Sequence, residues 1–375
     1  MVLLLGNYPP DQQQSMQRFS AMMLRGLTER GIKAELIRPK SVLGNLGIPG
    51  GFARKWLGYI DKYVLFPFQL RRRARSAPES VVHICDHSNA VYIEHCRPAP
   101  VVVTCHDLLA VRGGLGEETD CPATFTGRLL QKWILRGLGH AEAIACASGA
   151  TASDANRLLG QRDSNWLKVI PLGLNYEYKQ ISPEIAAARL KQISSLDLSR
   201  PFVLHVGSNL RRKNRDGVLR IVARIANEWN GQIVFAGEPL SRDLRRYAEK
   251  IGIADRVVEA PDANDELLEA LYNRAVALLY PSRFEGFGWP VIEAQACGCP
   301  VICATGGPLP EVAGEAGLFH PVEDEAGFAQ DVMRLNDPDE RTRWTAKSLA
   351  NARRFSTAEM VDQYVTIYQR LGAKV

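Results

Sequence analysis

No stretch of the 375 residues approaches 18 uninterrupted apolar positions, so no membrane-spanning helix is expected. The apolar start, residues 1–5, runs straight into GNYPPDQQQ and is too short for a signal peptide. The eight cysteines contain no CxxC pair. That spacing argues against a zinc knuckle, even for Cys297, Cys299 and Cys303, and the apolar neighbours predict reduced, buried thiols in a cytosolic protein. No metal site is therefore expected. No GxGxxG follows an early strand, which counts against a dinucleotide dehydrogenase. Nor is there a long basic stripe with interleaved aromatics, so nucleic acid is not an expected partner.

What is present is an ordinary globular composition, 46% hydrophobic and 23% charged, at a length that suits two domains. Charge is distributed unevenly. Residues 1–175 carry 21 Lys+Arg against 14 Asp+Glu and the remainder 25 against 27, so a half of net +7 precedes a half of −2. A basic half favours an anionic partner, such as a lipid surface or a phosphorylated acceptor.

Apolar runs at 2–5, 32–37, 81–85, 101–104 and 144–147 read as strands, with a helix over 12–30, and VIPLGL at 169–174 closes a first α/β domain. The polar stretch 176–200 reads as a linker. Strands then resume at 201–206, 233–236, 257–259, 275–280 and 301–304, and an amphipathic helix over 356–371 ends the chain. The loop after the first strand offers Asn7, Tyr8, Asp11 and Gln14 as polar groups. Residues 56–75 combine Trp56, Tyr59, Tyr63, Phe66 and Phe68 with Arg71, Arg72, Arg73 and Arg75. They fit either a membrane-surface patch or a helix packed through its aromatic face with a solvated arginine end.

The most informative stretch is YPSRFEGFGWPVIEAQACGCP, residues 280–300. An apolar strand ends at Tyr280, Pro281 and Ser282 break it, Gly286 and Gly288 permit unusual torsions, and Pro290 begins a helix that Gly298 closes. A loop leaving the carboxyl end of a parallel strand and entering a helix amino terminus is where open α/β sheets bind ligands, anions above all. Two carboxylates frame that loop, Glu285 and Glu293. His106, just past the strand at 101–104, occupies the equivalent place in the first half. In the second half the run Arg211, Arg212, Lys213 directly follows the strand at 201–206.

EGFGWPVIEAQACGCPVI followed by GGPLPEVAGEAGLF resembles the signature of the retaining glycosyltransferases of family 4. The resemblance implies a GT-B type fold: two Rossmann-like βαβ domains facing each other across a cleft. Domain 1–175, joined by a crossing helix at 356–375, would be the acceptor side, and 176–355 would hold a nucleotide-sugar donor. By position, Glu285 and His106 would contact the transferred sugar and Glu293 the ribose. Arg212, Lys213 and the Gly286, Phe287, Gly288 and Trp289 backbone would meet the diphosphate. Two departures stand out, Ser208 where the family often has arginine and Asn175 where it usually has aspartate.

The implied reaction moves a sugar from a nucleoside diphosphate to an acceptor hydroxyl with retention, without metal or other cofactor, in polysaccharide, lipopolysaccharide or other glycoconjugate synthesis. The expected partners are a nucleotide-sugar donor and a glycan or lipid-linked acceptor. The expected place is the cytoplasm, with the inner membrane face left open by residues 56–75. The rival reading keeps the fold without the chemistry, as a nucleotide-sugar sensor or complex subunit.

Overall fold

The computed structural model describes residues 1–11, 13–44, 51–163 and 165–374, with backbone only at 51–55. It contains two compact units, residues 1–175 with 356–375, and residues 176–355.

In the first unit, β1 (Val2–Leu5), β2 (Ala34–Ile37), β3 (Val81–Ile84), β4 (Val101–Cys105), β5 (Ala143–Cys146) and β6 (Leu167–Val169) form one parallel sheet in the order β2-β1-β3-β4-β5-β6. Every residue of β1, β3, β4 and β5 is buried. That is why these strands read as unbroken apolar runs: helices cover both faces of such a sheet, so no side of the strand returns to water. The helix Thr357–Arg370 belongs to this unit. Its buried Tyr368 hydroxyl lies 2.6 Å from His83 Nδ1, and Tyr364 and Thr104 pair their hydroxyls at 2.7 Å.

The second unit repeats the pattern with β7 (Phe202–Gly207), β8 (Gln232–Gly237), β9 (Val257–Pro261), β10 (Leu278–Tyr280), β11 (Val301–Ala304) and β12 (Gly317–His320), ordered β12-β11-β10-β7-β8-β9 and parallel throughout. The two parallel six-stranded sheets, interleaved with helices, are the two-domain α/β architecture expected above.

Two local expectations change, and two details are added. Of VIPLGL at 169–174, which closes the first domain's sheet, only Val169 lies in a strand; after the Ile170 amide bonds Cys146, Pro171 has no N–H with which to continue the ladder. The strand at 275–280 begins three residues late because Ala275 still caps the helix before it. The supposed linker at 176–200 is a folded part of the second unit. Its helix Pro183–Leu190 is tied down by Arg189, which bonds the buried Glu269 at 2.6 Å, while the Lys179 amide bonds the same carboxylate at 3.1 Å. The short, glycine-led β12 was not expected, and it pairs in register with β11.

Residues 46–50, at the edge of the aromatic stretch, lie outside the described residues. From Gly51 to Arg75 the chain is helical, with a π turn at Asp61–Leu65. Its aromatics divide between two faces. Tyr63 and Phe66 pack on Tyr92, with ring centroids 6.4 and 5.1 Å away, whereas Trp56 and Phe68 are exposed. Among the described residues no helix is long and apolar enough to cross a membrane.

Candidate functional site

In the second unit one cluster of charged groups stands at the carboxyl ends of β7 and β10. After β7 the chain makes a turn, Arg211–Lys213, and Asn214 takes a left-handed conformation (φ 54°) to start the helix Arg215–Ile225. Two bonds hold this loop against the one after β10: Asn214 Nδ2 donates to the Pro281 carbonyl at 3.0 Å, and the Arg283 amide donates to the Arg212 carbonyl at 2.7 Å. Gly237, at the end of β8, lies so close to β7 that a Cβ would stand 2.6 Å from the Gly207 carbonyl. The buried Arg215 reinforces the same corner, donating to the Gly207 and Glu238 carbonyls at 2.6 and 2.7 Å.

These constraints bring Arg212, Lys213 and Glu285 together. Lys213 Nζ lies 2.6 Å from Glu285 Oε1 and 2.8 Å from the Tyr280 hydroxyl, and Arg212 Nη1 lies 3.3 Å from Glu285 Oε2. The Glu285 side chain is only 6% exposed and that of Lys213 12%. Burial alone would push the Glu285 carboxyl up, but the charges of Lys213 and Arg212 outweigh it and hold it below its ordinary range. Glu285 is thus ionised, with both its oxygens engaged by cations.

The loop continues through Gly286 and Phe287 to Gly288, whose φ of 103° suits glycine and whose Cβ would meet Leu309 at 2.9 Å. The helix Trp289–Ala296 follows, so its positive dipole end begins one residue beyond this bend. Glu293, in the second turn, is buried and accepts from the Tyr272 hydroxyl at 2.9 Å. The sequence's one Asp-x-Asp triplet, Asp337 to Asp339, opens the helix Pro338–Ala352, where Asp337 accepts from the amides of Asp339 and Glu340.

Two further groups at this corner escaped sequence reasoning. His205, within β7, donates from Nδ1 to the Leu279 carbonyl at 3.0 Å and is neutral, its pKa pulled down to about 3 by burial and then by Arg215. Among the described residues its buried Nε2 has no partner, nor has the Ser282 hydroxyl. A histidine inside the apolar run PFVLHV was the available signal. A cavity of about 380 Å³ in this unit opens instead at the amino ends of the strands, beside Phe202, Val276 and Pro300.

In the first unit, His106 follows β4, is buried, and its Nε2 lies 2.9 Å from the Cys85 carbonyl. That bond makes Nε2 the donor and leaves Nδ1, which has no partner among the described residues, as an acceptor. Burial lowers the pKa despite the nearby Asp86, so the ring is neutral. Asp107 accepts from the Leu109 amide and caps the next turn. Asp86 and His87, past the end of β3, were missed, although they occupy the same strand-end place that singled out His106. Asp86 is buried and accepts from Asn7 Nδ2 at 2.5 Å and the Ser88 amide at 3.1 Å. Burial would raise its carboxyl, but His87 and Ser88 hold it well below the usual range. Asn7 and Tyr8, two of the polar groups offered by the loop after the first strand, are engaged internally; Tyr8 donates to Asp61 at 3.0 Å.

Comparison with known proteins agrees with this architecture. The family described as "Glycosyltransferase Family 4" matches residues 16–178, and "Glycosyl transferases group 1" matches residues 187–349. The D-inositol 3-phosphate glycosyltransferase of Acidothermus cellulolyticus is 30% identical over 288 residues, 72% of this chain and 62% of that protein's length. Sucrose-phosphate synthase of Thermosynechococcus elongatus superposes with a TM-score of 0.76 at 20% identity, covering 100% of this chain and 99% of the other. Anabaena HepE in complex with UDP superposes at 0.73 with 14% identity, covering 98% and 99%.

Proposed function

The chain belongs to the group 1 glycosyl transferases of family 4, and on that footing we propose that it transfers a sugar from a nucleoside diphosphate to an acceptor hydroxyl with retention of configuration. The observation that carries this reading is the Glu285 carboxylate clasped by Lys213 and Arg212 where β7 and β10 end, directly before a helix amino terminus. Cations beside a helix amino end suit a diphosphate, and a carboxylate among them suits positive charge developing on a sugar. A structural neighbour holding UDP supports the donor class.

In this account the bond from the anomeric carbon to the phosphate oxygen breaks as the acceptor oxygen attacks, and the acceptor's proton passes to the departing phosphate. Arg212 and Lys213 stabilise the charge that accumulates on the diphosphate, together with the Gly286 to Trp289 backbone. His106, with its Nδ1 lone pair, accepts a hydrogen bond from a sugar hydroxyl. The acceptor is a glycan or a lipid-linked glycoconjugate.

A thermal-shift screen of nucleoside diphosphates and nucleotide sugars tests the donor class. At least one diphosphate should raise the melting temperature by mass action, and stabilisation by none would contradict the proposal. Because protein groups meet the leaving charge, transfer should persist in excess chelator. Activity abolished by chelation and restored by magnesium or manganese would overturn that part.

Glu293 is assigned to the ribose, held alike in ground and transition states, so Glu293→Gln should raise the donor KM while sparing kcat. Glutamine preserves an acceptor for Tyr272. Alanine would add about 1–3 kcal/mol of destabilisation by stranding that buried hydroxyl. A fall in kcat with unchanged KM would move Glu293 to the reacting sugar.

A further inference from the structure

We propose that the first unit docks on an anionic lipid membrane through a face built from two helical segments. On the segment Gly51–Arg75, Trp56, Ile60, Val64 and Phe68 are exposed and recur every fourth residue, which aligns them along one side. On the helix Phe125–Leu138 a second stripe, Phe125, Leu129 and Trp133, has the same spacing, and Phe125 is 76% exposed. The stripes adjoin where Tyr63 meets Trp133, with ring centroids 5.8 Å apart. Large apolar side chains at consecutive outward positions cost solubility, so a partner surface is the economical explanation.

Charge identifies the partner. Arg128, Lys132 and Arg136 each follow a stripe residue by three positions and so flank the second stripe along its length. Arg71, Arg72 and Arg75 continue the first beyond Phe68. All six are exposed, and among the described residues none makes an ion pair, whereas Arg73 between them pairs with Glu35 at 2.6 Å. The helix Phe125–Leu138 has no carboxylate, and the only one in 51–75 is Asp61, buried and bonded by Tyr8. Tryptophan, phenylalanine and leucine flanked by unpaired cations are what an anionic bilayer interface accepts: the apolar groups enter the acyl boundary and the cations meet lipid phosphates. A second copy of the chain fits poorly, because a two-fold contact would set one basic stripe against its equal.

The test is co-sedimentation of the full chain with vesicles, without nucleotide or acceptor, so that it fails or succeeds independently of the proposed reaction. Binding is expected to phosphatidylcholine vesicles containing phosphatidylglycerol, not to phosphatidylcholine alone. Arg128→Glu/Lys132→Glu/Arg136→Glu should weaken it about 100-fold, several-fold per cation. Phe68→Ser/Phe125→Ser/Leu129→Ser should weaken it comparably at unchanged charge. With the unaltered protein, brominated acyl chains should quench tryptophan emission, and Trp56→Phe/Trp133→Phe should remove most of that quenching. Equal binding to neutral vesicles, no binding, or anionic binding insensitive to the serine variant would each overturn the proposal. So would a dimer that the charge variant dissolves in the absence of vesicle binding.

Discussion

Glutamine at position 285 should bind nucleoside diphosphate no more weakly than the native enzyme yet transfer sugar at least about 100-fold more slowly, the loss typical of removing one preorganised electrostatic contact. The substitution keeps the shape of the side chain and an acceptor for Lys213, 2.6 Å away, while removing its negative charge. Diphosphate binding is preserved because Lys213 and Arg212, freed of their internal counter-charge, attract phosphate at least as well. Transfer suffers because the carboxylate that favours positive charge on the sugar is gone. Steady-state kinetics and a nucleotide titration on the same preparation separate the two effects. Normal turnover would end the role assigned to Glu285 and leave His106 as the remaining candidate at the sugar.

Arg212→Ala combined with Lys213→Ala should have the opposite profile, lowering diphosphate affinity by about 100-fold or more. A hydrogen bond to a charged group contributes about 1.5–3 kcal/mol, and the two effects will not add simply because both cations share Glu285. The variant also strands the Glu285 carboxylate, 6% exposed, without a counter-charge. Its pKa should rise and the fold should lose some stability. The titration is therefore run beside a thermal melt, with each single variant as reference. Unchanged affinity in a folded double variant would mean that the diphosphate binds elsewhere.

Much of this corner was legible because its chemistry is local in the chain. Residues 280–298 state a strand end, a loop and a helix start in their order of apolar residues, glycine and proline, and the structure follows them closely. Arg212 and Lys213 could be placed because they directly follow a buried strand and stand where the resemblance to family 4 puts the cations that meet the diphosphate. What was not legible depends on partners far along the chain. Glu269, in the helix Asp265–Arg274, turns residues 176–200 from linker into domain. Asp86 engages Asn7, a polar group of the first loop, in an internal bond. His205 looks like one polar residue in an apolar strand until Leu279 is seen to fix its tautomer and leave Nε2 open. The stripe on Phe125–Leu138 passed unnoticed because at helical spacing an apolar stripe reads as core, and only burial distinguishes the two.

The central claim is transfer of a sugar, with retention, from a nucleotide donor at the Glu285 site. Following the reaction by NMR with the donor found in the thermal-shift screen tests it most directly, since one spectrum reports both release of nucleoside diphosphate and the anomeric configuration of the product. Release with the donor's own anomeric configuration, lost in Glu285→Gln, is the predicted result. An inverted product, or release that Glu285→Gln leaves intact, would contradict it.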